Sequence, residues 1–166
     1  MRLYKKGVSM QVFSFMFALI LIALILGYGV KTLVGVKKTS DDVELGDFIL
    51  RLRDQADAMY SFDVGSTKNV ELFLPVTIER VCFFNGDKKI SAIGVDQSLQ
   101  NRLDTNLGKN VFITPETFAA NILFVEHLRA GDENPLCFPT NGKLKIGMET
   151  VLGDDGKVYV AIHRLA

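Results

Sequence analysis

Hydrophobic and polar positions divide the chain into three unlike stretches. From Gly7 to Val30, "GVSMQVFSFMFALILIALILGYGV" holds 24 residues without a charge. As an α-helix this run is roughly 36 Å long, enough to cross a hydrocarbon core of about 30 Å with some tilt. The next stretch, "TSDDVELGDFILRLRDQADAMY", is polar with an apolar period. Leu45, Phe48, Leu52, Ala56 and Met59 follow three- and four-residue spacings, which predicts an amphipathic helix with a narrow stripe. Asp41 and Glu44 suit an N-terminal capping pair if a new helix starts there. Otherwise one helix continues from the apolar run, bent near Gly35 or Gly46. The stripe packs either on the remainder of its own chain or on sister helices.

From Asp63 the period changes. "NVELFLP", "VTIERVCFF", "NVFI", "NILFV", "KLKIGMETVL" and "KVYVAIH" read as short strands. Alternation is clearest in Leu144, Ile146, Met148, Thr150, Leu152 and in Val158, Val160, Ile162. "GDDGK" between those two is a hairpin turn signal, and Asn85-Gly86 is another. "DQSLQNRLDTN" is the one further helix expected, and a short one. The fold class expected is α+β: a transmembrane helix continuing into an amphipathic helix, then a β-rich domain.

Charge sharpens the reading of the first stretch. The 166-residue chain has no formal net charge, yet residues 1–38 hold six Lys/Arg and no acid, while residues 39–166 hold thirteen Lys/Arg against nineteen Asp/Glu. A basic end flanking an apolar run suits a membrane surface, and the acidic remainder has no basic stripe for nucleic acid. A cleaved secretory signal has an apolar region of only about 7–15 residues. Gly27 and Gly29 do offer a small-x-small cleavage pattern, but a retained single span is the favoured reading. Arg2, Lys5 and Lys6 before the span balance Lys31, Lys37 and Lys38 after it. The free amino terminus tips the orientation to N-terminus inside and large domain outside the cell membrane. Ser14/Ala18 and Ala23/Gly27 have the four-residue spacing of small side chains that lets helices pack closely in lipid. Any membrane helix also contains some small residues.

Chemistry-bearing motifs are few. Cys82 and Cys137 both sit in apolar settings, "VCFF" and "LCFP". In an external domain they suit a disulfide; the alternative is two buried thiols acting as small hydrophobes. With His127 and His163 they do not have zinc spacing. The histidines read as surface or packed residues. No nucleophile-elbow, metalloprotease, P-loop or dinucleotide motif is present, so neither an enzyme nor a cofactor is expected. Asp154-Asp155-Gly156 reads as a turn, Asp132 and Glu133 as a solvated loop.

Lys5-Lys6-Gly7 followed by about twenty apolar residues resembles the precursor of an archaeal type IV pilin. In that family a membrane peptidase cuts after the glycine and leaves the apolar helix on the mature subunit, first as membrane anchor and then as the filament core. The resemblance implies cleavage between Gly7 and Val8. It implies partners in the lipid bilayer and in copies of itself or other pilin-like subunits, met through the N-terminal helix. Val12 occupies the fifth mature position, where the family carries a Glu, and no carboxylate precedes Asp41. The organisation expected is a basic leader over 1–7, a transmembrane helix over 8–36, an amphipathic stalk over 37–62 and a β-rich extracytoplasmic domain over 63–166. Two functions fit. One is a pilin or minor pilin-like subunit with a structural, surface-filament or adhesion role. The other is an unprocessed signal-anchored module that binds a ligand outside the cell.

Overall fold

The computed structural model describes residues 7–88, 90, 97–105, 108–116, 120–131 and 133–165, with side chains from Val12 onward except 33–38. Helix α1 runs from Gly7 to Tyr60. Contacts divide the chain into two compact units, residues 1–40 and 41–166. α1 is continuous through Asp41, so Asp41 and Glu44 do not open a second helix. The Asp41 carboxylate instead accepts a hydrogen bond from the Thr77 hydroxyl at 3.3 Å.

The second unit combines the C-terminal part of α1 with two four-stranded sheets and one short helix, an α+β arrangement. The first sheet is built from β1 (Thr67–Phe73), β7 (Lys143–Leu152), β8 (Val158–His163) and β5 (Leu128–Ala130), in that spatial order. β1, β7 and β8 are antiparallel neighbours, and β5 lies parallel to β8. The second sheet is antiparallel, ordered β4 (Ile122–Leu123), β3 (Val111–Thr114), β2 (Arg80–Phe83), β6 (Leu136–Pro139).

The apolar stripe of α1 is the spine of the core. Leu45, Phe48, Ile49, Leu52, Ala56 and Met59 are buried in one cluster with Val70 and Leu72 of β1, Ile146 and Met148 of β7, and Val160 and Ile162 of β8. Val81 and Phe83 of β2 join the same cluster. Of the two packings open to the stripe, the one on its own chain is found. The residues between, such as Leu50, stay exposed. Thr150 ties the helix end to the sheet: its buried hydroxyl donates to the Met59 carbonyl at 2.8 Å, beside the Phe62 N–H that the same carbonyl accepts at 3.0 Å.

The run "RVCFF" does not alternate because both faces of its sheet are covered. Val81 and Phe83 point into the main core. Cys82, Phe84 and Phe112 point the other way, against Leu99 and Leu103 of α2 (Gln97–Thr105). α2 falls where the short helix is expected. The hairpin at "GDDGK" also forms, closed by the Gly153 N–H donating to the Lys157 carbonyl at 2.8 Å. Asn85-Gly86 does turn the chain, with the Lys88 N–H on the Asn85 carbonyl. It is not a tight hairpin, however, because β2's strand partners begin at Val111 and Leu136. β5 and β6 were not among the expected strands. They have three and four residues, too few for a period to show.

Candidate functional site

Val12–Thr32 is a 21-residue helical segment long and apolar enough to cross a membrane, and none of it is buried in this chain. Phe13, Phe15, Leu24, Ile25, Leu26 and Tyr28 are each more than three-fifths exposed. Helical geometry also places the small residues. Ser14 and Ala18 are one turn apart, as are Ala23 and Gly27. The two pairs are nine residues apart, which is about 180° of rotation at 3.6 residues per turn. They therefore mark two opposite faces rather than one seam. All four are exposed, and open space surrounds the position a Cβ would take on Gly27. Arg2, Lys5 and Lys6 lie outside the described residues. Gly7 and Val8 are described only as the first residues of α1.

On the first sheet a cleft of about 580 Å³ opens on the side away from the core. Its floor holds Arg129 of β5 and Tyr159 of β8. The Arg129 guanidinium lies over the Tyr159 ring at 3.3 Å and is held at 2.6 Å by the Asp87 carboxylate. The Tyr159 hydroxyl donates to Asp155 in the β7–β8 hairpin. That bond holds the Asp155 carboxyl below its usual range and pushes the Tyr159 phenol up. Glu149 and His163 line the far side. His163 lies across Gly147 so closely that a Cβ there would meet its ring nitrogen at 2.1 Å. These polar groups are satisfied largely by one another, which describes a structural network. Among the described residues no group of three His, Cys, Asp or Glu could hold a metal.

Cys82 and Cys137 face each other in the register of β2 and β6 and are joined by a disulfide, with Cα atoms 4.0 Å apart. The bond lies on the α2 side of the second sheet. His127 is packed, its ring stacked on Tyr60 with centroids 3.6 Å apart, and its backbone has φ 61°. Glu133 pairs with Arg164 at 3.3 Å; Asp132 lies outside the described residues. Asn85, Asn110 and Asn134 are buried, which the sequence did not reveal: Asn85 reads there only as part of a turn. Asn110 gives its side-chain amide to the Val125 and Leu128 carbonyls and accepts the Val125 N–H. Asn134 clasps Asn85 through both main-chain groups. Asn85 in turn accepts the Asp87 N–H. Nothing in the sequence separates these from the exposed asparagines of loops. Comparison with protein-family models, curated proteins and solved structures finds no match.

Proposed function

We propose that the chain is a single-pass membrane protein that presents its β-rich unit outside the cell and serves as a pilin-like structural or adhesion subunit. The observation that carries this reading is the wholly exposed apolar surface of Val12–Thr32. That much apolar surface in water is strongly unfavourable, so lipid or sister helices must cover it. The Lys5-Lys6-Gly7 sequence immediately before it supports processing between Gly7 and Val8. Loss of residues 1–7 removes three cationic side chains that hold the N-terminus at the inner surface. The helix is then free to leave the bilayer and pack against its sisters.

Val12 at the position of the pilin Glu supports a second reading. Without that carboxylate to pair with a neighbour's amino terminus, the chain stays an anchored, unprocessed binding module. The mature N-terminus, read by mass spectrometry from native membranes, separates the two. A Val8 terminus is expected, and Gly7→Leu should abolish it and raise the mass by under about 1 kDa. A wild-type chain that keeps Met1 or Arg2 overturns the pilin-like reading and leaves the anchored module.

A further inference from the structure

Two asparagines of this chain stand directly before a glycine: Asn85 before Gly86 and Asn141 before Gly142. In such a pair no side chain on the glycine hinders its nitrogen from attacking the asparagine carboxamide. A reaction within one chain then needs only a reachable geometry. The fold treats the two pairs differently. Asn85 is buried and held on three sides. Its N–H donates to Asn134 Oδ1 and its carbonyl accepts from Asn134 Nδ2, both at 2.8 Å. Its own Oδ1 accepts the Asp87 N–H at 3.1 Å. Turning the Gly86 nitrogen onto the Asn85 carboxamide means breaking these bonds in a buried setting, where unpaired groups are costly.

Asn141 lies in the turn from β6 to β7, the link between the second sheet and the first, and it is exposed. Its neighbours are tied down. Thr140 donates its N–H to the Glu79 carbonyl at 2.9 Å and its hydroxyl to the Ile78 carbonyl. The Gly142 carbonyl accepts the Leu74 N–H at 3.2 Å. Gly142 has φ 74°, and a Cβ there would meet Val76 Cγ1 at 3.0 Å, so the turn requires glycine at this position. Between these anchors, neither the Asn141 carboxamide nor the Gly142 N–H takes part in a hydrogen bond among the described residues. Nucleophile and electrophile are adjacent and unengaged, and the carboxamide is open to water.

We propose that Asn141 is a site of spontaneous deamidation, a modification that accumulates in this turn with the age of the molecule. The Gly142 nitrogen loses its proton and bonds to Asn141 Cγ. The carboxamide nitrogen leaves as ammonia, and a cyclic succinimide remains. Water then opens the ring. Breaking the bond from the nitrogen to Cγ gives an ordinary aspartyl residue; breaking its bond to the main-chain carbonyl carbon gives an isoaspartyl one. Either product puts a negative charge where a neutral amide stood. The isoaspartyl form also adds one main-chain atom between Thr140 and Gly142. Both of those residues are anchored, so the turn must absorb it. The reaction does not depend on how the N-terminal helix is used, so its failure and that of the membrane reading are distinguishable.

The test incubates the full chain, folded in detergent, in mildly alkaline buffer and follows both asparagines by peptide mapping with mass spectrometry. Conversion of amide to acid at position 141, with an isoaspartyl fraction, should run about tenfold or more faster than at position 85. In the denatured chain the two sites should convert at comparable rates, because there only the shared Asn-Gly sequence remains. Asn141→Gln, an exposed substitution whose carboxamide is one carbon too far for the same ring, should abolish the conversion with the circular dichroism spectrum unchanged. Conversion at position 85 as fast as at 141 in the folded chain would overturn the proposal. So would a folded chain that converts at neither site, or the same difference between the sites persisting after denaturation.

Discussion

Asn110, Asn134 and Thr150 show how much of the β-rich unit rests on single polar side chains. Each is buried and each closes backbone groups that no strand reaches. A buried main-chain group left unpaired costs about 1–3 kcal/mol, so such contacts decide where loops can lie. Asp155 and Tyr159 act at the surface instead, and their bond is titratable. The Asp155 carboxyl is depressed below its usual 3.8, first because it accepts the Tyr159 hydroxyl. A depressed carboxylate adds stability above its ordinary range, and loses it as pH falls through the lowered value. Tyr159 is raised above 10.0, first by the same bond, so its share is present below that pH and is lost as pH rises through the raised value. Tyr159→Phe should therefore move the Asp155 titration up toward 3.8, read from its carboxyl carbon shift in an NMR pH series. An unmoved midpoint would show that Lys157 and Arg129, not the hydroxyl, hold the carboxyl down.

At the level of elements, α1 carries two different instructions in one helix. Its first part is apolar all round; its last part is apolar on one stripe only. The stripe was legible because burial on one helical face leaves a 3.6-residue period. The contrast between adjacent turns gives a sharp expectation. Leu52→Ala should destabilise the folded unit by about 2–5 kcal/mol, whereas Leu50→Ala, on the exposed side, should change it by less than about 0.5 kcal/mol. Denaturant titration monitored by near-ultraviolet circular dichroism measures both. Equal losses would mean the stripe is not the core spine. The β2–β6 pair is stapled by a disulfide across a sequence separation of 55 residues. Reduction or Cys82→Ala with Cys137→Ala should lower stability by about 2–4 kcal/mol, because a long loop is released in the unfolded chain. Pairing itself is read by alkylation of the unfolded, unreduced protein, where two labelled thiols would refute it.

For the whole molecule, the balance between burial and exposure is uneven. The unit from Asp41 onward hides a core drawn from all eight strands and from α1. Val12–Thr32 hides nothing. A membrane supplies the missing cover on the proposed reading. Carbonate washing should then leave the protein in the membrane pellet, because a spanning helix resists extraction that strips peripheral proteins. Full-length protein in the supernatant would refute the span. If sister helices cover that segment, as the proposed reading has it, the opposite placement of Ser14/Ala18 and Ala23/Gly27 suits contact with two helices rather than one.

The sequence by itself determined the periods: the uncharged run, the stripe from Leu45 to Met59, the strand Lys143–Leu152 and the turn before Lys157. Each is a local signal, written in spacing that backbone geometry imposes on any chain. Tertiary structure decided the rest. It chose the chain's own core over sister helices for the stripe, because whether an apolar stripe meets its own sheet is not encoded in its spacing. It paired Cys82 with Cys137 and added β5 and β6, because register and short edge strands depend on partners far along the chain. It also left β1 open on one side, a property of strand order that no single segment carries.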